Sequence, residues 1–433
     1  MEFSNLFFLY LFLPLSVGIY FLMPNLRAKN IALLLGSLLF YSFGQVQTLP
    51  ILLGSAIVNF VLARRGKGIC AIVFNVLLLV ACKLCLSVLP LGISFYMFSL
   101  IAYQADVRRK QCEPCCNFVD FLLFVSLFPK LLMGPIVRYD SLAPQLAERS
   151  VCPKHCVLGA VRFAAGLGKK VLIADYAFSV YEQLSDLNAT AAVWLGALFF
   201  MFYIYFEFSG CADMAIGLGQ IFGFRLAENF RLPYLASSVS DFWRRWHITL
   251  GRFFRDYVYI PLGGSRKGRA RQILNLFAVW LLTGLWHGTS LNFVLWGLYF
   301  FLILTAEKQL RPCGKYVPRA IKLIITQFFV LVGWLIFSAS DLTVLVSAKP
   351  LWTQEIFPIL QNALPLLLLC FMAASALPKY LRGLWDRLEK GDGLSFRNIL
   401  YMLGLFAFIV TVLLFCTASL LSQASKPSMY AGF

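Results

Sequence analysis

Apolar residues dominate the chain from end to end, in runs that short polar or basic loops separate. Most runs approach the ~20 residues that a helix needs to cross the hydrocarbon core of a bilayer. The pattern predicts an all-α polytopic membrane protein with about 10 to 12 transmembrane helices and one or two re-entrant segments. The apolar runs cover residues 3–23, 31–43, 51–63, 69–82, 91–103, 118–133, 157–173, 191–208, 273–286, 293–306, 321–337, 356–377 and 399–421.

Some regions depart from plain spans. Residues 91–140 are rich in Gly, Pro and polar side chains, a composition that favours broken or re-entrant helices. Plain spans return after about residue 310, apart from an amphipathic charged stretch at 379–397 that we expect on the cytoplasmic surface. We predict one polytopic domain over 1–433, with its core motifs within 89–300 and plain spans over 310–433.

Composition and charge agree with a membrane location. Only 13% of residues are charged, against roughly 25% in soluble domains. The net charge of +18 comes from Lys and Arg clustered in short loops, which indicates cytoplasmic loops rather than nucleic-acid binding. Loops 25–30 and 64–68 are basic and loop 44–48 is not, so we predict an N-terminus outside the inner (cytoplasmic) membrane. The first apolar run lacks a cleavage signal and is interpreted as the first span.

Twelve cysteines do not indicate a disulfide framework, since half lie in or beside apolar runs. Two groups have the C-x-x-ligand spacing of zinc sites, and a shared site requires segment 118–133 to be re-entrant. The alternative is unrelated cysteines near the membrane surface, some of them acylated. The two groups are Cys112, Cys115 and Cys116, and Cys152, His155 and Cys156.

Charged side chains crowd the segment 205–234, which is too polar for a helix that faces lipid. We interpret them as an internal ion-pair network that holds helices together. They are Glu207, Asp213, Arg225, Glu228 and Arg231.

The chain has three histidines, and His247 and His287 lie within its apolar part. His247 precedes Ile260 by 13 residues and His287 follows Gln272 by 15, on the two sides of one basic turn. If both arms are helical, each ring lies about 20 Å from that turn, at a similar depth. Paired imidazoles suit a general base that deprotonates a hydroxyl. The alternative is that each ring only hydrogen-bonds a neighbouring carbonyl.

Aromatic and arginine side chains alternate around the first of these histidines, over residues 241–260. Such a segment is typical of an interfacial or funnel-lining helix, because aromatic rings lie at headgroup depth and arginine pairs with phosphate or carboxylate. The following turn, SRKGRAR, is basic and is predicted to be cytoplasmic.

These motifs resemble the membrane-bound O-acyltransferases, in particular the bacterial branch with the alginate O-acetylation membrane subunit. That branch also holds peptidoglycan and cellulose acetylation homologues and the D-alanyl transfer protein of teichoic acids. The resemblance rests on DFWRRWHITLGRFFRDYVYIPLGGSRKG and NLFAVWLLTGLWHGTSLNFVLWG, with further matches at 89–106, 127–139, 169–175 and 208–234. It covers residues 1 to about 340 well.

The resemblance implies a ring of tilted helices around a thinned centre, with a tunnel between a cytoplasmic and an outer funnel. It places the active-site histidine at His287 and its polar partner at His247. It also implies that an acyl group from a cytosolic thioester crosses the membrane to an exported acceptor. Phe300–Phe301 and Ser338 replace residues that are frequent in the family, and the chain is shorter than many relatives. These differences bear on which acceptor or partner protein the chain uses, and not on the chemistry.

From the residues and the resemblance we predict an O-acetyltransferase that serves an exported polysaccharide or peptidoglycan. His287 is the predicted general base, and His247 orients or polarises the reacting carbonyl. No bound cofactor is predicted; the donor is acetyl-CoA or an acyl carrier protein, and a periplasmic or extracellular acyltransferase is the expected partner. No metal ligand and no nucleic-acid contact belong to this site. The predicted substrate-binding and donor-binding residues are Trp243, Arg244, Arg245, Trp246, Trp286 and Asn292.

Three alternatives stay open. D-alanyl transfer predicts dependence on a small acidic phosphopantetheinylated carrier. A transporter with the histidines as a proton relay predicts paired inverted repeats, and none is seen in the sequence. A non-catalytic scaffold predicts that both histidines are dispensable.

Overall fold

A computed structural model describes residues 2–86, 88–310, 317–339, 349–386 and 396–422. Within these ranges the regular structure is helical and no strand occurs. Seven stretches there are long and apolar enough to cross a membrane, and Phe8–Leu22 is a shorter apolar helix. The prediction of an all-α polytopic membrane protein is therefore confirmed. The seven stretches are Leu26–Arg64, Gly68–Cys85, Thr190–Ile221, Leu291–Leu310, Arg319–Ser338, Ile356–Ala374 and Arg397–Ser422.

Several predicted spans form shorter or divided helices. Leu26–Arg64 is one of the seven stretches, although it consists of two helices, Leu26–Gln45 and Leu49–Arg64, that a 3-10 turn separates. Run 91–103 forms the 16-residue helix Ile93–Arg108, whose length is about 24 Å at 1.5 Å per residue. That is short of the ~30 Å hydrocarbon core, so such helices need tilt or a thinned bilayer to cross.

The chain divides into two compact units. The first comprises Met1–Leu167, Gly210–Glu228 and Cys416–Phe433, and the second comprises Gly168–Ser209 and Asn229–Phe415. The described helices that begin in the first unit are Phe8–Phe12 (π), Leu13–Leu22, Leu26–Gln45, Val46–Thr48 (3-10), Leu49–Arg64, Gly68–Cys85, Ile93–Arg108, Phe118–Ser126, Phe128–Leu131, Tyr139–Ala147 and Pro153–Gly168.

Buried amides hold helices of the first unit together. The Nδ2 of Asn59 donates to Oδ1 of Asn75 at 2.7 Å, and the Nδ2 of Asn75 donates back at 2.8 Å. Gln104 adds a bond from its Nε2 to the Asn59 carbonyl oxygen at 2.8 Å. All three side chains are fully buried, so these bonds replace the water that each amide loses.

The apolar run 118–133 is broken, as the Gly and Pro content of residues 91–140 predicted. Helix Phe118–Ser126 ends at Leu127, and the four-residue helix Phe128–Leu131 follows with Pro129 in its first turn. Nine helical residues span about 14 Å, which is too short to cross a bilayer. Gly92, at a φ of +65°, packs so closely on this segment that a Cβ there would overlap the Leu131 carbonyl oxygen.

The second unit holds the remaining described helices. Its hairpin of helices Gly268–His287 and Leu291–Leu310 is tightly packed, because Gly284 and Gly297 face the opposite backbone. A Cβ on Gly297 would lie 2.5 Å from the Trp280 carbonyl oxygen, which leaves no room for a larger residue. The described helices that begin here or run into this unit are Lys169–Ala174 (π), Asp175–Ser185, Thr190–Ile221, Pro233–Leu235 (3-10), Val239–Arg245, Ile248–Phe254, Arg255–Tyr259 (π), Gly268–His287, Leu291–Leu310, Arg319–Ser338, Ile356–Ala374, Leu377–Asp386 and Phe396–Ser422.

The charged segment around residue 379 begins with helix Leu377–Asp386, on which Tyr380, Leu381 and Trp385 are exposed. Its continuation over residues 387–395 lies outside the described residues. A position of this stretch on the cytoplasmic surface stays a prediction.

The predicted ion-pair network exists within each unit. In the first unit Arg162 pairs with Asp213 at 2.8 Å and with Glu228 at 2.6 Å. In the second unit Lys170 pairs with Asp175 at 2.6 Å and with Glu207 at 2.8 Å. These partners raise the pKa of Arg162 and of Lys170 even though burial opposes it.

Two members of the predicted set behave differently. Arg225 and Arg231 are exposed, and within the described residues neither forms an ion pair. The network therefore uses the carboxylates of the segment 205–234 with cations from outside it.

Candidate active site

His287 ends the helix Gly268–His287 and lies among aromatic rings of the second unit. Its ring centroid is 4.5 Å from that of Trp286, 5.1 Å from Trp296 and 5.0 Å from Phe337. The ring planes of Trp296 and Phe337 are nearly perpendicular to the imidazole. The close approach of Gly284 and Gly297 fixes the hairpin that brings Trp296 to this ring.

His247 is buried at a sharp turn between two seven-residue helices, Val239–Arg245 and Ile248–Phe254. Its φ of +42° places the backbone in the left-handed region, which is costly for a residue with a Cβ. Such strain persists only where the surroundings impose it, and it is frequent at functional sites.

Hydrogen bonds from a preceding loop impose the conformation of this turn. The Arg231 N–H donates to the Arg245 carbonyl at 3.0 Å, and the Ile248 N–H donates to the Asn229 carbonyl at 3.0 Å. Asn229 also accepts, on Oδ1, the backbone N–H of Thr249 at 3.1 Å and its hydroxyl at 2.7 Å. The motif 229–231 therefore clamps the residues on both sides of His247.

The two histidines meet at one indole. The Trp286 ring centroid lies 6.4 Å from the His247 ring and 4.5 Å from the His287 ring. Phe208 packs edge-on against His247 at 4.6 Å. The structure thus brings the two predicted catalytic residues together within the second unit.

The premise of two helical arms holds apart from His247 itself. The first arm is helical from Ile248 to Tyr259, as an α-helix that continues into a π-helix over Arg255–Tyr259, and His247 lies in a left-handed turn at its start. The second arm is helical as expected, over Gly268–His287. The rings come together through tertiary packing around Trp286.

The predicted tryptophans form one aromatic cluster. Trp246 packs on Trp334 at 4.9 Å, and Trp243 contacts Trp280 at 4.9 Å and Trp296 at 5.5 Å. Trp296 links this cluster to His287. Trp243, Trp246 and Trp286 thus lie in the same aromatic assembly as the two histidines.

The predicted arginines point elsewhere. Arg245 pairs with Asp241 of its own helix at 2.9 Å, and Arg244 lies 3.5 Å from the same carboxylate with its side chain 70% exposed. An exposed guanidinium suits contact with phosphate near the protein surface, which is compatible with the predicted donor-binding role.

Asn292 is used within the protein. It donates through Nδ2 to the Phe337 carbonyl at 2.9 Å and accepts the Ser290 hydroxyl at 2.6 Å. These bonds tie the loop after His287 to the helix Arg319–Ser338, so the geometry gives Asn292 a positioning role.

Sequence reasoning missed Glu307 and Asn229. The Glu307 carboxylate accepts the N–H of Val239 at 2.6 Å and that of Ser240 at 3.2 Å, and so caps the helix that leads to His247. A lone acidic residue at the end of the apolar run 293–306 is the signal that marks Glu307. Asn229 has no such signal, because it is an uncharged residue in a segment whose charged residues, such as Glu228 and Arg231, stand out instead.

Several donors in this region have no acceptor within the part of the chain that the structure describes. Among the described residues none accepts from the indole N–H of Trp243, Trp296 or Trp334, or from Nδ2 of Asn229. Trp296, Trp334 and Asn229 are almost wholly buried. Buried donors are normally hydrogen-bonded, so this cluster suits a ligand that carries oxygen acceptors.

His247 lies outside the stretches that are candidate spans. Burial lowers the pKa of His247 to about 3, because the charged ring loses its hydration. The imidazole is therefore neutral at neutral pH and offers one donor and one acceptor nitrogen.

The cysteine groups remain separate from this chemistry. Segment 118–133 is broken, as a shared zinc site required, yet the described residues hold no cluster of three or more possible metal ligands. Cys112, Cys115, Cys116, Cys152 and Cys156 are free thiols.

Comparison with known proteins agrees with the motifs. The profile of the MBOAT, membrane-bound O-acyltransferase family matches residues 115–346. A probable alginate O-acetylase AlgI of Pseudomonas fluorescens is 39% identical over 368 residues, 79% of this chain and 74% of the relative. A peptidoglycan O-acetyltransferase of Helicobacter pylori is 33% identical, over 78% of this chain and 77% of the relative. A teichoic acid D-alanyltransferase of Bacillus subtilis is 29% identical, over 57% and 68%.

The family match spans more than half of the chain and includes both histidines of the candidate site. The relatives from Pseudomonas fluorescens and Helicobacter pylori are more than 30% identical over more than two thirds of the chain. The chain belongs to the membrane-bound O-acyltransferase family and is an O-acyltransferase.

Proposed function

We propose that the protein transfers an acetyl group from a cytosolic thioester, acetyl-CoA, for O-acetylation of an exported polysaccharide or of peptidoglycan. The contacts of His247 and His287 with the same Trp286 ring carry this proposal. The printed activities of the relatives from Pseudomonas and Helicobacter support the acetyl group and the glycan acceptor.

His287 acts as the general base in this proposal. It takes the proton of the acceptor hydroxyl while the oxygen attacks the thioester carbonyl. The tetrahedral intermediate then expels the thiolate, which leaves as free CoA after taking the proton from His287. A thioester is already a good electrophile, so positioning and proton removal supply most of the rate.

His247 polarises the reacting carbonyl. Its neutral ring can donate one hydrogen bond to the oxygen on which negative charge develops. Its clamped backbone fixes the direction of that bond before substrate binds.

The donor's phosphates are met by exposed cations. Arg244, Arg245 and the basic turn 265–271 bind them at the cytoplasmic mouth, in an orientation with the N-terminus outside the inner membrane. A periplasmic or extracellular acyltransferase receives the acetyl group where the final acceptor is a glycan chain.

Radiolabelled acetyl-CoA and purified protein in nanodiscs test the chemistry. His287→Ala should lower the release of free CoA, and of acetylated acceptor, at least about 100-fold, as expected for removal of a general base. His155→Ala is the matched control, because His155 is an exposed histidine of helix Pro153–Gly168. Unimpaired acetylation by His287→Ala would contradict the assignment.

D-alanyl transfer is the second candidate, and the Bacillus subtilis relative favours it. It predicts no turnover of acetyl-CoA and activity with a D-alanyl carrier protein in the same nanodiscs. If neither donor turns over, and both histidines are dispensable in cells, the scaffold alternative holds.

A further inference from the structure

The side chain of Asn229 is fully buried, and among the described residues only its amide oxygen has hydrogen-bond partners. Its Oδ1 accepts two hydrogen bonds from Thr249, which fixes the orientation of the amide. Its Nδ2 therefore faces away from Thr249, and no acceptor for it exists among the described residues. A buried amide donor without a hydrogen-bond acceptor destabilises the folded state.

The structural task of Asn229 does not require that donor. A carboxylate or a hydroxyl at position 229 could also accept from Thr249, and the Asn229 carbonyl that receives the Ile248 N–H belongs to the backbone. The buried Nδ2 donor thus destabilises the folded state, and the role of Asn229 in clamping the turn does not explain why a donor is present there.

The surroundings of Asn229 limit what such a donor can bind. Its bonds reach the two residues directly after His247. Its neighbour Phe230 packs on Phe208 at 5.1 Å and on Trp246 at 5.0 Å, and Phe208 in turn packs on His247. An N–H among aromatic rings suits an uncharged oxygen acceptor of a largely apolar group, and an acyl carbonyl has that chemistry.

We propose that the Nδ2 of Asn229 donates a hydrogen bond to the carbonyl oxygen of the transferred acyl group, beside His247. This inference rests on the proposed function. As the acceptor oxygen forms its bond to the carbonyl carbon, the π electron pair moves to the carbonyl oxygen, and Asn229 and His247 together stabilise the resulting oxyanion. When the pair returns and the carbon–sulfur bond breaks, the thiolate leaves with the proton from His287.

The donor has a larger effect on the oxyanion than on the ground-state carbonyl. Removal of one such donor typically lowers kcat about 10²–10³-fold. Loss of a purely structural bond in the same turn would act on folding and on geometry, and not selectively on kcat.

Asn229→Asp and Thr249→Val separate the two roles. Asn229→Asp keeps an oxygen for both bonds from Thr249 and removes the donor, whereas Thr249→Val breaks the hydroxyl bond and keeps the donor. We expect Asn229→Asp to lower kcat about 100-fold with little change in KM for acetyl-CoA. Thr249→Val should lower kcat only a few-fold. Equal losses in the two variants, or activity of Asn229→Asp within threefold of wild type, would overturn the proposal.

A second variant and a spectroscopic measurement test the proposal if the Asn229→Asp variant misfolds. Asn229→Ala, which has no side-chain donor, should show at least the same kcat loss if the aspartate variant is not recovered as a monodisperse protein. In the otherwise wild-type chain carrying His287→Ala, acetyl-CoA labelled with ¹³C at the carbonyl should show a C=O stretch at lower frequency than in water. Absence of that shift would also overturn the proposal.

The experiment distinguishes this inference from the proposed function. If His287→Ala loses turnover and Asn229→Asp does not, only the role of Asn229 fails. If His287→Ala retains turnover, the proposed function fails first.

Discussion

Two fully buried asparagine sites show what a polar group in an apolar interior is for. In the first unit Asn59 and Asn75 exchange both amide bonds at 2.7 and 2.8 Å. In the second unit Asn229 accepts two bonds and its donor reaches no described protein group. Both sites are inaccessible to solvent, so the difference lies in hydrogen-bond satisfaction and not in burial.

The comparison distinguishes buried polar groups that stabilise helix packing from buried polar groups that are available to a ligand. A reciprocal pair satisfies both amides and specifies how helices Leu49–Arg64 and Gly68–Cys85 pack. A half-satisfied amide beside a strained histidine destabilises the folded state, and such costs persist at sites that bind ligand. The following substitutions test this division, beginning with the largest expected effect.

Substitution of His247 should have the largest effect after that of His287. We expect His247→Ala to lower acyl transfer about 100-fold, because it removes a polarising group. His247→Gly removes the same ring but relieves the left-handed strain at φ +42°. Turnover assays of both variants in nanodiscs should give equal losses, whereas recovery in His247→Gly would show that the backbone and not the ring matters.

Asn75→Leu should affect stability and spare chemistry. It removes the two bonds that Asn59 exchanges with Asn75, while Asn59 keeps its bonds to the Ser55 carbonyl and from the Gln104 Nε2. The loss of these two bonds should cost about 1–3 kcal/mol in unfolding free energy. Thermal unfolding in detergent measures the loss, and acyl transfer per folded molecule should stay within twofold of wild type.

The double variant Asn59→Leu, Asn75→Leu sharpens the test. Removing both amides should recover part of the stability, since neither amide then remains without the other. The Gln104 Nε2 still reaches the Asn59 backbone carbonyl, so part of the network persists. A double variant that is less stable than the sum of the singles would contradict the view of a reciprocal structural pair.

Glu307 should show a smaller, graded effect. Its carboxylate caps the helix before His247, and loss of a cap costs about 0.5–2 kcal/mol. Glu307→Ala should therefore lower kcat several-fold and lower the melting temperature, while Glu307→Gln, which keeps one acceptor oxygen, should retain most of both. Identical behaviour of the two variants would show that the cap does not position the site.

Much of the fold follows from apolar runs alone. A helix is the form in which a long apolar segment satisfies its own backbone in lipid, so the all-α class could be predicted. The break after Ser126 could be predicted because Pro129 lies inside the apolar run 118–133 and Gly134 follows it directly. The partners in the ion pairs were harder to predict from the sequence, because Arg162 and Lys170 lie far along the chain from the carboxylates of Asp213 and Glu207.

The candidate site could be predicted only in part. Both histidines stood out as titratable groups in apolar sequence, and the tryptophans beside them joined the same cluster. Arg244 and Arg245 lie on the exposed side of their helix, and Asn292 is engaged by Phe337, facts that sequence position does not reveal. Both arms are helical, from Ile248 to Tyr259 and over Gly268–His287, and a common depth of the two rings stays a prediction.

By itself the sequence determined the fold class and the family, and it singled out His247 and His287 as candidate site residues. These conclusions depend only on residue type and local pattern. Tertiary structure alone decided that both rings contact Trp286, that Glu307 caps the helix before His247 and that Asn229 holds the turn at His247. It also decided that the Asn229 donor meets no acceptor among the described residues. The physical reason is that a hydrogen bond or a ring contact depends on distances between atoms far apart in the chain. Such distances are set only when the helices pack.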